Sequence, residues 1–175
     1  LLISACIIFT SCLGNETVQS INETELFSLP YGKFEEQLSV SDLNNVGDVR
    51  FGITMQDGFF YIINGEAKKI MELNSYGDLL TLFYNEDSET ASLLEKSNKP
   101  AESVHHEVSY PFDYPGMLAV DSYKNIYTVC SIPRDRQELS DDGNTLYSQT
   151  VLRFARDGSS LEYIGQQGPG GTPFP

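Results

Sequence analysis

The chain has 175 residues and a formal net charge of −14, from 25 Asp and Glu against 11 Lys and Arg. Apolar residues make up 40%, with 10 Tyr and 10 Phe, which suits a globular domain with a sizeable core and excludes a disordered polyelectrolyte. An isoelectric point near 4.3 makes nucleic acid and anionic lipid surfaces poor partners.

The first ten residues, "LLISACIIFT", are almost wholly apolar. A spanning helix needs roughly 20 such residues, whereas the apolar core of a secretory signal needs roughly 7–15. The run ends in "FTSC" and turns at once to polar "LGNETVQSINETE". This apolar–small–small–Cys pattern resembles the lipobox of bacterial lipoproteins, in its spirochaete-like form with Phe at position 9. The resemblance implies a signal peptide over 1–12 and a diacylglyceryl group on the sulfur of Cys12. Cys6, in "ISAC", is the alternative site; it fits by residue type but leaves apolar "IIF" just after the lipid. Residues 13–25 then form a flexible tether, and the protein sits in the bacterial cell envelope on a lipid anchor. The missing charged start, and the break within "GQQGPGGTPFP" at the other end, read as the two ends of an incomplete gene product.

Beyond the tether helical signals are few: "KFEEQLSVSDL" carries one for a turn or two, and residues 88–99 for a short surface helix. The rest alternates in short β runs split by Gly, Asp and Asn. Internal repetition decides what kind of β protein follows. "KIMELNSYGDLLTLF" (69–83) aligns without a gap on "TVLRFARDGSSLEYI" (150–164), so that Ile70 meets Val151 and Gly77 meets Gly158. "GITMQDGFFYII" (52–63) aligns on "GMLAVDSYKNIYTV" (116–129), with Gly52 on Gly116, Asp57 on Asp121 and, after a turn two residues longer, Tyr61 on Tyr127. Each copy is two hairpins, hence four antiparallel strands.

Four such strands, repeated, are the unit of a β-propeller. The second copy, "YPGMLAVDSYKNIYTV" with "VLRFARDGSSLEYIG", resembles the NHL repeat family, and "GQQGPGGTPFP" resembles the linker into another blade. The resemblance is closest over 115–175 and weaker over 52–83, where no Pro precedes Gly52. It implies an all-β, partial β-propeller of four-stranded blades over 26–175. Residues 85–114 and 131–149 stand as insertions, and the remaining blades are expected elsewhere in a longer chain. Such propellers present loops of one face to a partner.

The candidate chemistry is thin. Cys130 follows "NIYTV" and reads as a small buried hydrophobe, with no local His to activate it. His105, His106 and Glu107 form the only histidine cluster; neighbours on a strand point to opposite faces, so a solvated loop is expected rather than a metal site. Asp141 and Asp142 lack calcium-loop spacing and read as a turn. "RDR" (134–136) is too short for a nucleic-acid patch, and the Gly-rich end lacks the Lys-Ser/Thr of a P-loop. No catalytic residue, cofactor or metal ligand is expected. The expected role is a lipid-anchored binding or scaffold module for a protein or glycan. An envelope lyase or hydrolase with its site at the propeller channel, or a purely structural component, are the alternatives.

Overall fold

The computed structural model describes residues 22–40, 51–88, 91 and 105–175. The expected signal peptide, both candidate lipid sites and most of the tether lie outside these residues, as does nearly all of the helix expected at 88–99. Residues 33–37 form bends and a turn rather than a helix.

The described chain is all-β, and its sheets are open. The first sheet is an antiparallel meander of β1 (Phe51–Gln56), β2 (Phe59–Asn64), β3 (Lys69–Leu73) and β4 (Leu79–Tyr84). A fifth strand, β5 (His106–Ser109), adds in parallel to β4. The strands of the second sheet are β6 (Leu118–Val120), β7 (Ile126–Ser131), β10 (Gln149–Phe154), β11 (Ser160–Gly165) and β12 (Gly168–Pro169). They lie in the order β12-β11-β10-β7-β6. Between β7 and β10 the chain leaves the sheet through a 3₁₀ turn at Arg134–Arg136 and a small hairpin, β8 (Glu138–Leu139) with β9 (Leu146–Tyr147).

Local chemistry explains the reversals. Asp57 and Gly58 join β1 to β2 with φ of 51° and 79°, the left-handed pair of a type I′ turn that matches strand twist. The β3–β4 and β6–β7 turns are built on Asx side chains. Asn74 Oδ1 accepts from the backbone N–H of Tyr76 and Asp78 (both 2.9 Å), and Asp121 Oδ1 accepts from those of Tyr123 and Asn125 (both 2.9 Å). "NSYGD" and "DSYKN" thus fold the same way with Asn and Asp exchanged. Pairing also corrects the alignment of the first hairpins. Four residues separate the paired Met55 and Phe60, and five separate the corresponding Val120 and Ile126. The second turn is therefore one residue longer, not two, and Gly52 corresponds to Met117 rather than Gly116.

Each sheet has two faces of alternating residues. The front of the first sheet carries Tyr61, Ile63, Ile70 and Phe83, all at most 2% exposed. Its back carries Ile62, Met71, Leu73, Leu79 and Leu82. The front packs against Ile126, Cys130 and Phe154 of the second sheet. Those residues correspond through the repeat to Phe60, Asn64 and Leu73, which lie on the back of the first sheet. The two sheets therefore meet front to back, a head-to-tail relation, rather than front to front as in a two-fold sandwich.

The segment before β1 covers the back of the first sheet, where Phe27, Leu29 and Leu38 join its apolar cluster. Lys69, fully buried on that face, donates from Nζ to the carbonyls of Phe34 (2.7 Å), Glu35 (3.2 Å) and Gln37 (2.5 Å). Asn64, also fully buried, holds the backbone of Ser39 at both N–H and C=O, at 2.9 and 3.0 Å.

Candidate functional site

The expected insertion at 85–114 is partly core. Asn85, 5% exposed, donates to the carbonyl of Phe112 at 2.8 Å, and Phe112 is 2% exposed among Tyr110 and Phe154. The histidine pair does not lie in a solvated loop. His105 precedes β5 and His106 opens it, beside Thr81 of β4, because the parallel edge of the first sheet offers free backbone groups for pairing. His105 Nε2 lies 3.4 Å from Glu107 Oε1 without hydrogen-bond geometry and is itself buried. His106 is exposed. Among the described residues no three His, Cys, Asp or Glu side chains are grouped to hold a metal ion.

Cys130 is 1% exposed and packs among Ile126 and Phe154. Such a thiol is shielded from electrophiles. Asp142 organises the β8–β9 turn: its carboxylate accepts from the Ser140 hydroxyl and from Asn144, which hold its pKa down to about 2. The hydrogen bonds that Ser140 and Asn144 give it all lie inside the turn. Arg134 and Arg136 lie exposed in the 3₁₀ turn.

The expected insertion at 131–149 lines a recess. Ile132, Arg136 and Glu138 form one wall, and Thr150, Tyr163 and Pro173 the other. Its volume is about 290 Å³, at the lower end of small-ligand sites. Thr150 Oγ1 already donates to the carbonyl of Ile164 (3.2 Å), and Tyr163 Oη to that of Gly170 (3.3 Å). The rim therefore offers a guanidinium and a carboxylate to a ligand, while the floor is occupied and largely apolar. Among the residues that line the recess, no nucleophile and base stand in partnership. The far wall exists because Phe174 pairs with Gln149 in both directions, at 2.7 and 3.0 Å, and brings the Gly-rich end back onto the sheet.

Two buried polar groupings were not legible in the sequence. One is the Lys69 and Asn64 clamp on residues 34–39. The other lies on the front of the first sheet, where Tyr61 Oη (3.1 Å) and Thr81 Oγ1 (2.8 Å) both donate to Glu72. Burial, reinforced by Glu72, raises the Tyr61 pKa far above its ordinary value. The only signal for either was the presence of polar residues inside an apolar run.

No protein-family model matches the chain, and no curated protein is significantly similar to it. Among the described residues no helix is long and apolar enough to cross a membrane.

Proposed function

We propose that this chain is a propeller-type lipoprotein of the bacterial envelope, held by a lipid on Cys12, that works as a binding or scaffold module for a protein or glycan. The anchor rests on "FTSCLGNE" alone, with Cys6 as its alternative. The propeller reading is favoured by the front-to-back stacking of two repeated four-stranded units. Each unit adds to the last by the same relation, and such a relation closes into a ring when its rotation permits.

The binding role is carried by the excursion at 131–149. Its two short strands pair with each other and with no sheet, and Leu139 and Leu146 stand 64% and 45% exposed. A segment that adds so little to the core, yet walls a recess with Arg136 and Glu138, has contact as its natural purpose. The test has two arms. Alkyne fatty acid fed to expressing cells labels the wild type and not Cys12→Ala; label lost instead in Cys6→Ala moves the anchor. A glycan array and envelope-protein capture, run on the wild type and on a variant with 134–148 replaced by Asn-Gly, should give a signal that the variant loses. Equal capture by a folded variant removes the excursion from the binding role.

A further inference from the structure

The repeat makes each buried contact of the first sheet a forecast for the second. The front residues Tyr61, Ile63, Ile70 and Phe83 correspond to Tyr127, Val129, Val151 and Ile164. In the first sheet they are at most 2% exposed, because the back of the second sheet covers them. In the second sheet the same positions are only half-buried. They form a continuous apolar row across β7, β10 and β11, since Val151 pairs with Val129 on one side and with Ile164 on the other. Met117, which corresponds to Gly52, stands 77% exposed at the end of the adjoining strand.

A second observation points the same way. Arg153, on this face, lies over the Tyr127 ring at 5.6 Å, and its Nε is buried with no acceptor. The corresponding pair in the first sheet, Glu72 and Tyr61, is hydrogen-bonded at 3.1 Å under the cover of its neighbour. A buried donor without a partner is destabilising, so this face is built for a neighbour that brings an acceptor.

We infer that the front of the second sheet docks a further four-stranded unit of the same repeat, presented by its back face. That back face carries large apolar residues at the positions of Ile126, Leu152 and Phe154, with a carbonyl or carboxylate opposite Arg153. A second copy of this chain is a poorer occupant. Its one back face not already used is that of its own first sheet, and Phe27, Leu29 and Leu38 sit on it. The inference rests on the propeller reading for the direction of growth, and on the repeat for the identity of the partner.

The experiment uses the 175-residue chain and an extended chain in which residues 105–175 are repeated after Pro175. Each is made with and without Val151→Asp, and read by thermal melting and by mass in solution. The expected result is a monomeric 175-residue chain whose Tm Val151→Asp moves by less than 2 °C. The extended chain should melt at least 5 °C higher, and Val151→Asp should abolish that gain. A 175-residue dimer that Val151→Asp dissolves would assign the face to a second copy and overturn the inference, leaving the propeller reading intact. Monomers with no gain on extension would overturn the inference. Cysteine pairs placed at Gly52 and Leu118 then separate the two readings, because their failure to cross-link would also remove the front-to-back stacking.

Discussion

The ring of Phe83 on β4 stands 5.1 Å from the ring of Phe154 on β10, and this contact joins the two sheets. Phe154 also meets Tyr110 edge-on at 5.0 Å, so one side chain ties together β4, β10 and the segment after β5. Truncating a fully buried Phe costs about 3–5 kcal/mol. Phe154→Ala should lose that much in urea unfolding, while Val151→Ala on the open front face should lose about 1 kcal/mol or less. Equal losses would mean that the two faces are equally covered.

Lys69 makes stability depend on alkaline pH. Burial lowers its pKa from 10.5 to about 8, with Glu35 opposing the shift. Between pH 8 and 10.5 the unfolded chain holds the proton that the folded chain has released. Stability therefore rises with pH across that window, and the gain is lost as pH falls through 8. Relative to Lys69→Met, which removes the titration, wild-type unfolding free energy should climb by up to about 3 kcal/mol from pH 7 to 10.5. A flat difference would place the ammonium in water.

The two Asx turns should respond alike to loss of their anchors. Asp121 lies in surroundings that, by partial desolvation, push its pKa up, yet hydrogen bonds from Asn125, Tyr127 and Tyr123 bring it below the usual carboxylate value. In Asp121→Ala the amides of Tyr123 and Asn125 should exchange hydrogen much faster, and in Asn74→Ala those of Tyr76 and Asp78. Amides of β7 and β3 should be unaffected. Unchanged exchange at the turns would show that backbone bonds alone hold them.

Gly165 has no room for a side chain. A Cβ there would stand 2.3 Å from the carbonyl oxygen of Gly171, which is backbone and cannot swing away. Gly165→Ala should detach the Gly-rich end from β10, open the wall that Pro173 forms, and lower Tm by several degrees. Gly143→Ala, where a Cβ meets nothing within 4 Å but φ is 70°, should cost only about 1 kcal/mol of backbone strain.

Replacing 134–148 by Asn-Gly should move Tm by less than about 2 °C, because loop-closure entropy changes slowly with length and the excised strands pair only with each other. A larger fall would make the excursion part of the core.

The sequence by itself determined the strands, their grouping in two similar fours and the turns between them. Those features depend on neighbours within a few residues: the alternation in "FFYIINGEAKKIMEL", the Asp57-Gly58 pair, the Asx side chains of Asn74 and Asp121. It missed β5, because "HEVS" has no alternation of its own and becomes a strand only beside the free edge of β4. It misjudged one turn length by a residue, since Asp57 and Asp121 look equivalent until pairing fixes which residues face each other. Only the tertiary structure decided which face of each sheet meets which. Apolar residues cover both faces of both sheets, and the hydrophobic effect has no direction. What distinguishes them is where polar groups can be satisfied. Asn64 and Lys69 find carbonyls and an N–H in residues 34–39, while Cys130 and Thr150 at the corresponding positions do not need that segment. The same reasoning explains why the recess was invisible: Arg136, Thr150 and Pro173 meet only because Phe174 folds back onto Gln149, a pairing of backbone groups that no side chain announces.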